Sequence, residues 1–134
     1  MFGFPSTRAF ASYGIYDLQQ TYSSWYSVDV GVVEINRMIE GKRKQSQYEI
    51  DFVVNIGNNK VYIQSALNVD TPEKKTQETF SLRNTGDFFR KIVVLDGNRK
   101  LWTDEDGVMY VGVIPFLLED IIVAGFLWIT LDNH

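Results

Sequence analysis

The chain has 134 residues, 17 acidic and 13 basic side chains, and a net charge of −4. That length suits a single domain able to bury roughly two thirds of its unfolded surface, and the mild negative charge argues against a general basic field for nucleic acid. There is no cysteine, and the one histidine is His134, so disulfides, thiolate or His-cluster metal sites and a Ser–His–Asp set are not expected.

Residues 1–11 read as irregular, with Gly3, Pro5 and Ser6 set among Phe2, Phe4 and Phe10. They have neither the basic flank nor the long apolar core of a signal peptide. Residues 12–26 place Ile15, Leu18, Tyr22 and Trp25 at roughly helical spacing, with Ser12 as N-cap. Residues 28–36, VDVGVVEIN, have strong β-propensity, and Gly31 is a candidate bulge. Residues 37–46 carry Arg37, Lys42, Arg43 and Lys44 around Gly41. They read as a polar, basic connection, either a solvated loop or one that contacts phosphate.

Residues 47–66, QYEIDFVVNIGNNKVYIQSA, read as a β-hairpin. Ile50, Phe52 and Val54 alternate with Glu49, Asp51, Val53 and Asn55, the period of a half-buried strand. Gly57, Asn58 and Asn59 supply a tight turn. The returning strand sets Val61, Ile63 and Ser65 on one face, and Tyr62, Gln64 and Ala66 on the other.

A helix over 71–84 follows, with Thr71 as N-cap, Pro72 in the first position and Glu73 where the helix dipole favours an acid. Its apolar residues, Phe80 and Leu82, predict that it rests on the sheet by its C-terminal end. Gly86 closes that unit. Residues 89–95, FRKIVVL, predict a strand buried on both faces. Turns are expected at 96–98 and 104–107, a short edge strand at 100–103 and another strand at 108–113. Pro115 opens a short helix over 116–119. Residues 121–131 are strongly apolar, and their pattern does not choose between strand and helix. They reach about half of the ~20 residues that span a bilayer, so a soluble, cytoplasmic protein without a membrane partner is expected. A strand–helix–strand crossover from 60 to 95 requires a parallel pair. The fold class is therefore α/β with a mixed sheet, and Phe52, Val54, Ile63, Ile92 and Val94 are the expected central core.

This order, α-β-β-β-α-β plus a small terminal strand and helix, resembles the restriction-endonuclease-like superfamily, whose signature is written PD-(D/E)XK. The phrases YSVDVGVVEI, YEIDFVVN, VYIQSA, TPEKKTQETFSLRN, FRKIVVLDG and WTDEDGVMYVGVIPFLLED resemble the C-terminal domain of unknown function that follows the ATPase module in prokaryotic AAA-type ATPases. The match covers about residues 26–120 of a single domain over 1–134; residues 1–25 and 121–134 lie outside it. Trp25 stands where the family usually ends a helix with glycine. No GxxxxGK[ST] occurs, so ATP binding does not transfer.

Nucleases of this superfamily hold Mg²⁺ with two carboxylates and position the nucleophile with a lysine. By motif, Asp51 is the strand acid, Gln64 stands at the second acid and Ala66 at the lysine. Asp51 and Gln64 are the candidate metal ligands, expected on adjacent strands with side chains on one side of the sheet. Glu49 shares the face of Asp51 and is the acid that would compensate. The first helix offers Asp17 alone. Tyr62 is the aromatic placed to meet a ligand there. The resemblance implies a vestigial site, no cofactor, and a non-catalytic interaction domain. Its partner is another protein or a second copy covering the apolar stretches 2–10 and 121–131. The alternative is a DNA-binding or Mg²⁺-dependent DNA-cleaving module.

Overall fold

A computed structural model describes residues 7–22 and 26–118, with side chains placed for 7–16 and 27–118. The elements are α1 (Thr7–Tyr22), β1 (Tyr26–Ile39), β2 (Lys42–Ile56), β3 (Asn59–Ala66), α2 (Pro72–Arg83), β4 (Arg90–Leu95), β5 (Trp102–Thr103), β6 (Met109–Gly112) and α3 (Val113–Leu118). One six-stranded mixed sheet runs in the order β1-β2-β3-β4-β6-β5. The first three strands are an antiparallel meander. The β3–β4 and β4–β6 pairs are parallel, as the α2 crossover demands, and β5 closes the far edge antiparallel to β6. No described helix is long and apolar enough to cross a membrane.

Each sheet face carries its own core. On one face Val54, Val61, Ile63, Ile92, Val94 and Val111 pack with Ala11 and Ile15 of α1 and Phe116 of α3. On the other, Val33, Ile50, Val53, Ala66, Val93, Leu95 and Tyr110 pack with Leu82 of α2. The middle strand β4 is covered on both sides, which is why Ile92 to Leu95 are apolar without alternation and fully buried. Thr71 caps α2: its Oγ1 accepts the Lys74 N–H at 3.1 Å. Of the five residues expected at the centre, Val54, Ile63, Ile92 and Val94 are fully buried. Phe52 is only half-buried, with the Arg8 guanidinium 5.9 Å above its ring.

Several boundaries differ from the sequence reading. Helix α1 starts at Thr7, so Ser12 lies inside it and caps nothing. The basic stretch 37–46 is mostly strand, because Arg37↔Lys44, Met38↔Arg43 and Ile39↔Lys42 continue the β1–β2 ladder to a two-residue turn. That turn, Glu40–Gly41, has positive φ at both residues (51° and 75°), the backbone of a type I′ hairpin whose twist matches its strands. The two short strands expected after β4 are present as β5 and β6, each shorter than its sequence span, and α3 begins two residues before Pro115. Residues 2–6, Trp25, 121–131 and His134 lie outside the described residues; Phe10 packs against the first core.

Gly31 does mark a bulge. Asp29 pairs with Val53 and Gly31 with Ile50, so three steps along β2 match two along β1. A Cβ on Gly31 would sit 2.7 Å from Val53 Cγ2 and 3.2 Å from Ile50 Cβ. Both neighbours are stiff at those atoms. Gly31→Ala should therefore destabilise the fold by about 1–3 kcal/mol through overpacking, read as a lower urea midpoint with an unchanged slope.

Candidate functional site

The β2–β3 ladder runs from Ile56↔Asn59 to Phe52↔Ile63 and stops there. Beyond it the two backbones are joined by side chains. The Asp51 N–H donates to Gln64 Oε1 at 2.9 Å. Asp51 Oδ2 accepts from the Ser65 N–H at 2.9 Å and from the Ser65 hydroxyl at 2.8 Å. Asp51 Oδ1 lies 3.6 Å from Arg8 Nε on α1, with the carboxylate 21% exposed. The bulge explains this aim. Ile50 and Val53 both pack in the α2-side core, so the extra residue of β2 lies between them, and both Asp51 and Phe52 turn toward Arg8 on the α1 side.

The expectation that Asp51 and Gln64 share a face is thereby corrected. Alternation along β3 places Ile63 in the α1-side core and Tyr62 and Ala66 with the α2-side core. Gln64 falls with the latter, and it meets Asp51 through the backbone N–H rather than side chain to side chain. Ser65, the residue between the two motif positions, is the one beside the carboxylate. Glu49 is exposed on the ladder opposite Val32. Asp17 lies in α1, but its side chain is outside the described residues. Arg37 and Lys44 face each other across the ribbon, and Arg37 rests over the Phe80 ring at 5.3 Å. Tyr62 is engaged elsewhere: its hydroxyl donates to Asp87 Oδ2 at 2.5 Å.

Chemically, Asp51 is a carboxylate held by two donors of one residue and a neighbouring guanidinium. Ser65 Oγ, on the carboxylate, and Gln64 Oε1, on the Asp51 N–H, are both bound within the same clamp. Among the described residues no three His, Cys, Asp or Glu side chains gather as a metal would require. No protein-family model matches the chain, and no curated protein matches it.

A second polar system lies at the opposite end of the parallel strands, around an open cleft of about 730 Å³ lined by Arg83, Asp87, Phe88, Arg90, Lys91 and Asp106 among others. Nothing in the motif pattern pointed to it. Asp104, with a side chain only 3% exposed, is its hub. Its Oδ1 accepts the N–H groups of Asp106 and Val108 at 2.9 and 3.0 Å. Its Oδ2 accepts from Tyr110 and Arg83, both at 2.8 Å. Arg83 also pairs with Asp106. Burial alone would raise the Asp104 carboxyl, but the donors from Tyr110, Val108 and Arg83 outweigh it and hold the group below the usual carboxylate range. Burial and the Asp104 hydrogen bond both push Tyr110 up. Asp87 repeats the pattern. Burial opposes ionisation, yet Tyr62, Lys91 and the Phe89 N–H bring its carboxyl below the ordinary value.

Two outcomes follow from these contacts. Asp51→Ala leaves the part-buried Ser65 N–H and hydroxyl without their acceptor and should lower stability by about 1–3 kcal/mol. Arg8→Ala, at an ion pair whose arginine is 57% exposed, should change it by less than about 1 kcal/mol; urea titrations compare the two. The acid response has a definite sign. The Asp87 and Asp104 carboxyls sit lower in the fold than in the open chain. Their contribution is complete above the unfolded pKa near ~4 and fades as pH drops through the folded values. The urea midpoint should fall on acidification below about pH 4, and Asp104→Asn should flatten that fall.

Proposed function

We propose that this chain is a non-catalytic interaction domain on a restriction-endonuclease-like scaffold, resembling the C-terminal domain of prokaryotic AAA-type ATPases. The observation that carries this reading is the clamp itself. The carboxylate at the strand-acid position closes on Ser65, and the amide at the second-acid position closes on the Asp51 N–H. The motif residues join two strands of the sheet, and Ala66 at the lysine position is buried. Positioning a water and neutralising a phosphoryl oxygen each contribute several kcal/mol to such a reaction, and the clamp provides for neither. The run α1-β1-β2-β3-α2-β4 supports the scaffold assignment. A protein partner is supported by the long outer edge of β1, where Val30, Val32 and Met38 are exposed.

The test is an assay on duplex DNA with Mg²⁺ or Mn²⁺. The expected result is no cleavage above the protein-free control, and no heat on titrating Mg²⁺ by calorimetry. Metal-dependent cleavage that vanishes in Asp51→Asn, a variant that keeps the side-chain shape, overturns the reading.

A further inference from the structure

The sheet ends at β1, and among the described residues no strand pairs with its outer side. Natural edges are kept short, or blunted with lysine, proline or a bulge on the edge strand. Strand β1 is 14 residues long and contains neither lysine nor proline. The extra residue of its one irregularity sits on β2. Val30, Val32 and Met38 stand in a row on one face of it, 56%, 58% and 71% exposed. An edge with this length and sequence is a template for another strand.

We infer that the partner strand is β1 of a second copy, paired antiparallel about a two-fold axis at Val33. The inference rests on the interaction-domain reading above and names the partner. Three features select this occupant and this register. First, an axis perpendicular to the sheet keeps each face continuous, so facing residues must come from the same face of β1. Second, the Glu40–Gly41 turn makes Ile39↔Lys42 the closing hydrogen-bonded pair. In the ladder above the bulge, odd-numbered residues of β1 therefore turn their backbone groups to β2, and Val32, Glu34, Asn36 and Met38 turn theirs outward. Third, β1 carries two acids and one base: Asp29, Glu34 and Arg37.

Arg37 and Asp29 share the α2 face, whereas Glu34 is on the other. The register that sets Arg37 against an acid of its own face therefore pairs it with Asp29 of the second copy, twice across the axis. Asp29 Oδ2 already accepts from Asn55 Nδ2 at 3.0 Å, which leaves Oδ1 to receive the guanidinium. Arg37 rests on Phe80 without a carboxylate partner among the described residues. In the same register Val28 faces Met38, Val30 faces Asn36 and Val32 faces Glu34. Opposite charges across a strand pair are favourable, and like charges are not.

The experiment is sedimentation equilibrium of the full chain at micromolar concentration, with amide hydrogen exchange. The expected particle is twice the 15.4 kDa chain, with the N–H groups of Val32, Glu34 and Asn36 protected. Val32→Lys, at an exposed site, should dissociate it. Arg37→Asp should raise the dimer Kd by about tenfold or more, and adding Asp29→Arg in the same chain should restore it. A wild-type monomer overturns the inference. So does a dimer indifferent to Val32→Lys and Arg37→Asp, which would place the contact elsewhere. Protected Val32 and Glu34 amides in a monomer mean that the chain's own segment covers the edge, and likewise overturn it. A monomer that also fails to cleave DNA leaves the interaction-domain reading intact with a different partner, whereas cleavage lost in Asp51→Asn removes that reading as well.

Discussion

One extra residue in β2, opposite Gly31, sets the geometry of much of this molecule. It lets Ile50 and Val53 face the same core, and so it shifts the phase of the strand between them. Asp51 and Phe52 are turned together toward α1. Below the bulge β2 is a regular member of the sheet, paired on both sides. Above it β2 pairs only with β1, as one arm of a two-stranded ribbon that ends at Glu40 and Gly41. The absence of a side chain at Gly31 is the steric condition for all of this, since a Cβ there would press on both flanking residues of the bulge.

The two ends of the sheet solve the same problem differently. Where β2 and β3 separate, peptide groups that have lost their ladder partners are satisfied by Asp51 and Gln64. At the other end, chain segments entering β4 and leaving β5 are anchored by carboxylates, Asp87 half-buried and the Asp104 side chain buried. Asp87 collects Tyr62 from β3 and Lys91 from β4. Asp104 collects Arg83 from α2 and Tyr110 from β6, together with the backbone of its own turn. Each carboxylate is taken from water only because several donors replace the solvent. In both cases the donors come from different elements, and the Asp104 network, through Arg83, fixes α2 against the sheet as well as closing a loop.

Much of this was legible in local sequence. The cap at Thr71, the crossover, the two-sided burial of Ile92 to Leu95 and the turn at Gly57 follow from residue type and spacing. The bulge could be suspected from Gly31 but not its consequence, because a change of strand phase moves side chains between faces without altering the sequence pattern. For that reason the sequence pattern puts Asp51 on the correct strand but on the face that Gln64 occupies, whereas the bulge turns it to the α1 side. The sequence reading gives Ser65 a face but no part in the site, since only three-dimensional proximity assigns it one. The stretch around Arg37 and Lys44 looked like a loop because its charges outweigh its β-propensity in a window of ten residues, whereas cross-strand pairing to a type I′ turn decides the structure. Asp87 and Asp104 gave no signal, because aspartate is ordinary at turns.

The clamp at Asp51 also changes what an acidic residue at such a position signifies. In most of a sheet, strands are held by peptide groups, which are the same whatever the side chains. Here the join is written in side chains, so it can be lost by point substitution. Selection for a folded protein alone would then retain the aspartate and its serine neighbour across descendants that never performed a reaction. An acid at this point of the sheet therefore has an architectural part to play in its own right, and an inheritance of catalysis has to be established by other means.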